Sequence, residues 1–225
     1  MQNNIGIVQG RLTNSPKNRL QYFPKNWELE FSRAKKLKYN FIEFFSERSL
    51  NKDNPIWDDK KILKYKKLVK KNNLKIINFC DDYIINNSIN HKKTIAYLSN
   101  LIKKINLLGV KNLILPLYGK SNLTDYNYRK YLVALKNISN KDNKINFYIE
   151  SNISPNTFKK MSYYLKRKNI FFLFDTGNRI NLKRDLYDDL TKFLKYIGHI
   201  HIKDKDHRGK NVKLTTGLVN FKKIF

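Results

Sequence analysis

Three apolar runs in the second half of the chain end on side chains that can do chemistry. FYIE ends on Glu150, FFLFD ends on Asp175, and IGHIHI carries His199 and, near its end, His201. The steps from 150 to 175 and from 175 to 201 are each about one strand-plus-helix unit. Three neighbouring parallel strands would therefore present Glu, Asp and His at one rim, the carboxyl end where such sheets place ligands. Carboxylate oxygens with one imidazole suit a single divalent cation such as Mn²⁺, Co²⁺, Mg²⁺ or Zn²⁺. Each residue alone has a plainer reading, because a carboxylate after a strand is more often a helix cap or a turn residue. His199 and His201 face the same way on a strand, so one could pack while the other projects.

Other polar residues fall at the ends of apolar runs. Gln9-Gly10-Arg11 follows the first run, Cys80-Asp81-Asp82 the third, and Lys203 and His207-Arg208 the last; Asn178 comes shortly after Asp175. Glu43 stands inside FIEFF, where a carboxylate among apolar neighbours needs a partner. Gln9, Arg11, Glu43, Asn178, Lys203 and Arg208 are thus expected to surround Glu150, Asp175 and His201 as substrate contacts. Cys80 has no visible histidine base and reads as structural. There is no G-x-G-x-x-G after a strand, no G-x-x-x-x-G-K-[ST], no C-x-x-C and no H-E-x-x-H.

Positioning these residues takes a repeating frame. Short β-rich runs are predicted at residues 5–9, 41–45, 75–79, 112–116, 145–149, 170–174 and 199–202. Lys-rich amphipathic helices are predicted between them, at 28–37, 58–72, 92–108, 125–139, 155–166 and 186–197. Ser154-Pro155 is a cap followed by a first-turn proline, Gly109 is a helix stop, and His91 is placed at a helix start. Alternating strands and helices argue for a parallel α/β sheet of the (β/α)8 barrel type, with seven strands visible and the last unit missing at the C-terminus. A polar loop is expected over 203–211. With no linker composition along the way, residues 1–225 read as one domain.

The bulk numbers set limits. A hydrophobic fraction of 41% over 225 residues can build a sizeable core. No apolar run approaches the ~20 residues of a membrane span, and the N-terminus has no signal-peptide pattern. One cysteine leaves no internal disulfide and fits a cytoplasmic protein. The formal charge of +28 admits a polyanion partner, but the lysines are spread as pairs inside helices, and lysine and asparagine are abundant together, as AT-rich coding would give. Nucleic acid is therefore not the expected partner; no RNP-like or zinc-finger pattern supports one.

Taken together, IGIVQGRLTNSP, WELEFSRAKKLKYNFIEFF, FYIES, FDTGN, HIHIKD and TTGLVNFKKIF resemble, in order and nearly end to end, the sugar phosphate isomerase/epimerase family of the xylose isomerase-like TIM-barrel superfamily. The resemblance implies a metal-dependent enzyme acting on a sugar or sugar phosphate through an enediolate. It implies that Glu150, Asp175 and His201 hold the metal and that Glu150 also moves the proton. The wider superfamily takes a fourth ligand and second acid/base from an eighth strand, which is not seen here. Thr215 and Leu218 stand where the family has a glycine and an acidic residue. A non-catalytic binding protein on a shortened barrel, and a nuclease of the AP-endonuclease kind, are the alternative readings. An open barrel edge also allows a homo-oligomer.

Overall fold

The computed structural model describes residues 4–16, 21–166, 168–182 and 184–224. Seven parallel strands form one sheet in simple sequential order: β1 (Gly6–Val8), β2 (Phe41–Ser46), β3 (Asn78–Asp81), β4 (Asn112–Pro116), β5 (Asn146–Glu150), β6 (Ile170–Asp175) and β7 (Ile197–His201). The helices are α1 (Leu29–Lys36), α2 (Asp59–Lys71), α3 (Tyr83–Asn86), α4 (Lys92–Leu108), α5 (Arg129–Ser139), α6 (Pro155–Leu165), α7 (Thr176–Ile180), α8 (Leu186–Phe193) and α9 (Phe221–Ile224). A two-stranded antiparallel ribbon, β8 (Asp204–Lys205) with β9 (Asn211–Val212), follows the main sheet.

The sheet curls into an incomplete barrel. Glu43 on β2 and His201 on β7 lie five strands apart, about 24 Å in a flat sheet at the usual strand spacing. Their side chains are nonetheless 3.0 Å apart. Among the described residues β1 and β7 do not pair.

Side chains alternate between the two faces of each strand. In β2, Ile42 and Phe44 join the main core between sheet and helices, together with Phe31, Tyr65 and Leu98. Phe45, Cys80, Ile114, Tyr148 and Leu173 form a second, smaller cluster inside the curl. Barrel interiors are normally layers of branched apolar residues. Here the register row at the amino end of the strands is instead Asn78–Asn112–Asn146.

The expected elements are present with shifted ends where local polar chemistry intervenes. The fifth helix starts at Arg129, not 125, because Asp125 turns away to accept a hydrogen bond from Ser154 N (2.7 Å). The third strand is displaced from 75–79 to Asn78–Asp81, leaving Lys75 as a lone bridge to Phe41. The Thr-Gly segment after Asp175 is α7, capped by Asp175 itself. The loop predicted over 203–211 contains the ribbon, tied down by Asp204, whose carboxylate accepts from Gly217 N (2.9 Å) and Val219 N (3.0 Å). Thr215 has φ 73°, in the left-handed region that favours glycine.

One irregularity decides which way β7 faces. Phe172 pairs with Ile197 but Leu173 pairs with His199, so Gly198 is an extra residue. Ile197 packs outward with the helices, and strict alternation would send His199 and His201 the same way. The extra residue resets the alternation and turns both histidines inward. A Cβ at position 198 would lie 2.6 Å from the Tyr148 ring and 3.0 Å from Phe171 Cβ. Gly198→Ala is therefore expected to destabilise the protein by about 1–3 kcal/mol through overpacking, read from chemical denaturation; an unchanged midpoint would contradict this.

Candidate functional site

Glu150, Asp175 and His201 end or nearly end β5, β6 and β7, and all three face the interior at the carboxyl rim. Glu150 Oε1 accepts from Asn178 Nδ2 (2.7 Å) and Tyr118 OH (3.3 Å). Asp175 Oδ1 accepts from Asn178 N (2.8 Å), so this residue is both the cap of α7 and a member of the cluster. His201 Nδ1 lies 3.8 Å from Glu150 Oε2 and 3.8 Å from Asp175 Oδ2. His201 Nδ1 is buried and makes no hydrogen bond among the described residues. Lys203 Nζ is 2.6 Å from Asp175 Oδ2. It gets there because α7 passes close: a Cβ on Gly177 would lie 2.7 Å from Lys203 Cβ.

Behind His201 sits Glu43. His201 Nε2 is 3.0 Å from Glu43 Oε1, and His199 Nε2 is 3.3 Å from Glu43 Oε2. Both histidines thus face inward, and the partner that a carboxylate inside FIEFF requires is this pair. Ligand-capable atoms gather in two overlapping groups that share His201, namely Glu150–Asp175–His201 and Glu43–His199–His201, the atoms of each within 4.8 Å of one another.

The charges are set by burial and by each other. Burial opposes ionisation of Glu43, but His201 and His199 outweigh it and hold its carboxyl well below the usual range. Burial likewise opposes Asp175, and His201 and Lys203 hold it below the usual range. Glu150 is pushed up, first by burial and then by the Asp175 charge. Burial would lower His201, yet Glu43, Asp175 and Glu150 raise it to about 10. Three carboxylates thus face two cations, and Glu150 is the carboxylate that most readily takes a proton. Cys80 is buried beside Asp82 and its thiol is pushed up, an unreactive state.

A cavity of about 580 Å³ opens onto this cluster, with Arg11, Glu43, Asn178 and Lys203 in its wall. Gln9 and Arg208 are not brought there. Gln9 falls one residue out of phase on β1, on the helix-facing side, and its Nε2 donates to Tyr65 OH (3.0 Å). Arg208 is an exposed loop residue between β8 and β9, 3.6 Å from Asp206. Tyr118, Asn78 and Tyr148 belong to the site and were missed. Tyr118 could have been found as the residue just past the fourth strand's Leu-Pro-Leu end; Asn78 and Tyr148 lie within strands and gave no such signal.

The family described as Xylose isomerase-like TIM barrel matches residues 31–225. This chain belongs to that family. No curated protein matches it. Among solved structures, D-psicose 3-epimerase with D-tagatose from Clostridium cellulolyticum H10 superposes with a TM-score of 0.75 at 13% identity, over 98% of this chain and 78% of that one. L-ribulose 3-epimerase gives 0.72 at 18% identity, over 98% and 75%. The IOLI protein with a binding zinc atom gives 0.72 at 13% identity, over 98% and 82%. At these identities the likeness is one of fold. In this barrel family the carboxyl rim is the ligand-binding end, and that is where the cluster sits.

The rim also carries a titrating pair. Burial pushes Asp81 up to about 7, although Ser46 Oγ and Tyr97 OH donate to it, and pushes Asp82 up to about 6, with Arg48 and Lys203 pulling back. Unfolded, Asp81 loses its proton near pH 3.8. Its stabilising contribution is thus complete below that pH and is lost as pH rises toward 7. Asp81→Asn, which imitates the neutral acid, should remove this loss. Urea unfolding at pH 5 and 7.5 should show the wild-type protein falling relative to the variant by about 1.4 kcal/mol per pH unit at most; parallel behaviour would contradict the assignment.

Proposed function

We propose that the chain is a metal-dependent sugar or sugar-phosphate isomerase or epimerase, acting by proton transfer at a carbon next to a carbonyl, with residues 1–225 forming one domain. The observation that carries the reading is the convergence at the rim of Glu150 Oε2, Asp175 Oδ2 and the buried His201 Nδ1, which has no hydrogen-bond partner among the described residues. Unpaired buried polar atoms are costly, and a carboxylate–imidazole set of this kind fits one divalent cation. Glu150, Asp175 and His201 would hold it. When bound, such a cation supplies Lewis acidity toward a carbonyl and its neighbouring hydroxyl.

The remaining chemistry belongs to side chains. Glu150 is suited to take the carbon-bound proton and return it, because burial and Asp175 already bias it toward the protonated form. Asn178 and Tyr118 fix its Oε1 and leave Oε2 facing His201. Lys203 and Arg11, both on the cavity wall, present positive charge to substrate hydroxyl or phosphate oxygens. With Glu150 as the single assigned base, aldose–ketose isomerisation is the simpler outcome. The solved structures of 3-epimerases on the same fold make ketoses the first substrates to try.

The test is exchange in D₂O. The chain, supplied with Mn²⁺ or Co²⁺, is incubated with D-fructose, D-tagatose and L-ribulose, and NMR follows solvent deuterium at the carbons flanking the carbonyl. Deuterium should enter with the wild-type protein, and about 10²–10⁴-fold more slowly with Glu150→Gln. Equal exchange by the two proteins would remove Glu150 from its role.

A further inference from the structure

His201 carries two ring nitrogens with different surroundings, and a cation ligand must keep a lone pair on one of them. Nε2 faces Glu43 Oε1 at 3.0 Å, and Nδ1 faces the two rim carboxylates without a hydrogen bond. An ionised carboxylate only accepts, so the Glu43 contact requires a proton on Nε2, and Nδ1 is left as the nitrogen from which a cation at Glu150 and Asp175 would displace the proton.

Glu43 is itself held in place. Its Oε2 accepts from Asn78 Nδ2 (3.2 Å). Asn78 Oδ1 accepts from Asn112 Nδ2 (2.8 Å), and Asn112 Oδ1 accepts from Asn146 Nδ2 (3.0 Å). The ladder crosses three adjacent strands in register and runs in one direction, each amide donating to the next. Because Asn112 occupies the Asn78 carbonyl oxygen, the Asn78 amide nitrogen is turned to Glu43. His199, its ring nearly parallel to that of Tyr148 (12°, centroids 6.1 Å apart), closes the other side of the carboxylate. Asn78 is fully buried and Glu43 nearly so. Three amides in an interior row where apolar side chains would pack more simply need such a reason.

We propose that Glu43 is a positioning residue, held by the Asn146–Asn112–Asn78 ladder, that fixes the tautomer and ring orientation of His201 so that Nδ1 is the cation-binding atom. Glu43 then acts through His201 and touches neither cation nor substrate. This inference rests on reading Glu150–Asp175–His201 as a cation centre.

The test uses Zn²⁺ alone, titrated into the full chain by competition with a chromophoric chelator, for the wild-type protein and Glu43→Gln. The expected result is one ion per wild-type chain and binding about 10–100-fold weaker in the variant. ¹⁵N-histidine NMR of the zinc-loaded wild-type protein should show His201 with a proton on Nε2 and none on Nδ1. That spectrum decides the matter even where the variant does not fold. A His201 protonated on Nδ1, an unchanged affinity in Glu43→Gln, or two ions per chain with Glu43 as a ligand would each overturn the inference while leaving a cation centre in place. No ion on the wild-type chain would overturn the functional reading and this inference with it.

Discussion

The contact between Glu43 and His201 is the constraint on which the site depends. It joins the second strand to the seventh across the inside of the curl, between residues far apart in both sequence and sheet order. A buried carboxylate is tolerated only with partners, and here the partners are two imidazoles from one strand. The same contact orients His201 toward Asp175 and Glu150 and gives the interior a polar spine in place of an apolar layer. The charge states of Glu43 and His201 and the direction of the second imidazole nitrogen follow from it.

Much of this was legible in the chain, because parallel strands buried on both faces leave near-continuous apolar runs. Asn112–Pro116 and Lys92–Leu108 coincide with the runs that announce them. Placing Glu150 and Asp175 at one rim needed only strand ends and spacing. The cap reading and the site reading of Asp175 proved compatible, since one oxygen caps α7 and the other faces His201. What spacing cannot supply is phase. Gln9 looked like a rim residue and lies on the helix-facing side, one position out of step with Val8.

The histidines show the same limit from the other side. Their sharing a face followed from alternation, but which face depends on Gly198, a single glycine inside an apolar run. The close approach of Tyr148 and Phe171 explains why no side chain is carried there. The asparagine ladder left a trace, too: β3, β4 and β5 each begin with Asn, as NFCD, NLILP and NFYIE. Read one strand at a time these are ordinary strand starts; only the register makes them a row. Arg208 fails for a simpler reason, since the ribbon carries the loop that holds it out into solvent.

The central claim is that Glu150, Asp175 and His201 form one cation centre. The most direct measurement is the metal content of the purified chain after incubation with Mn²⁺, Co²⁺, Zn²⁺ and Mg²⁺, beside Asp175→Ala. The account predicts about one ion per wild-type chain and its loss in the variant. An equal metal content in the two proteins, or none in either, would contradict it.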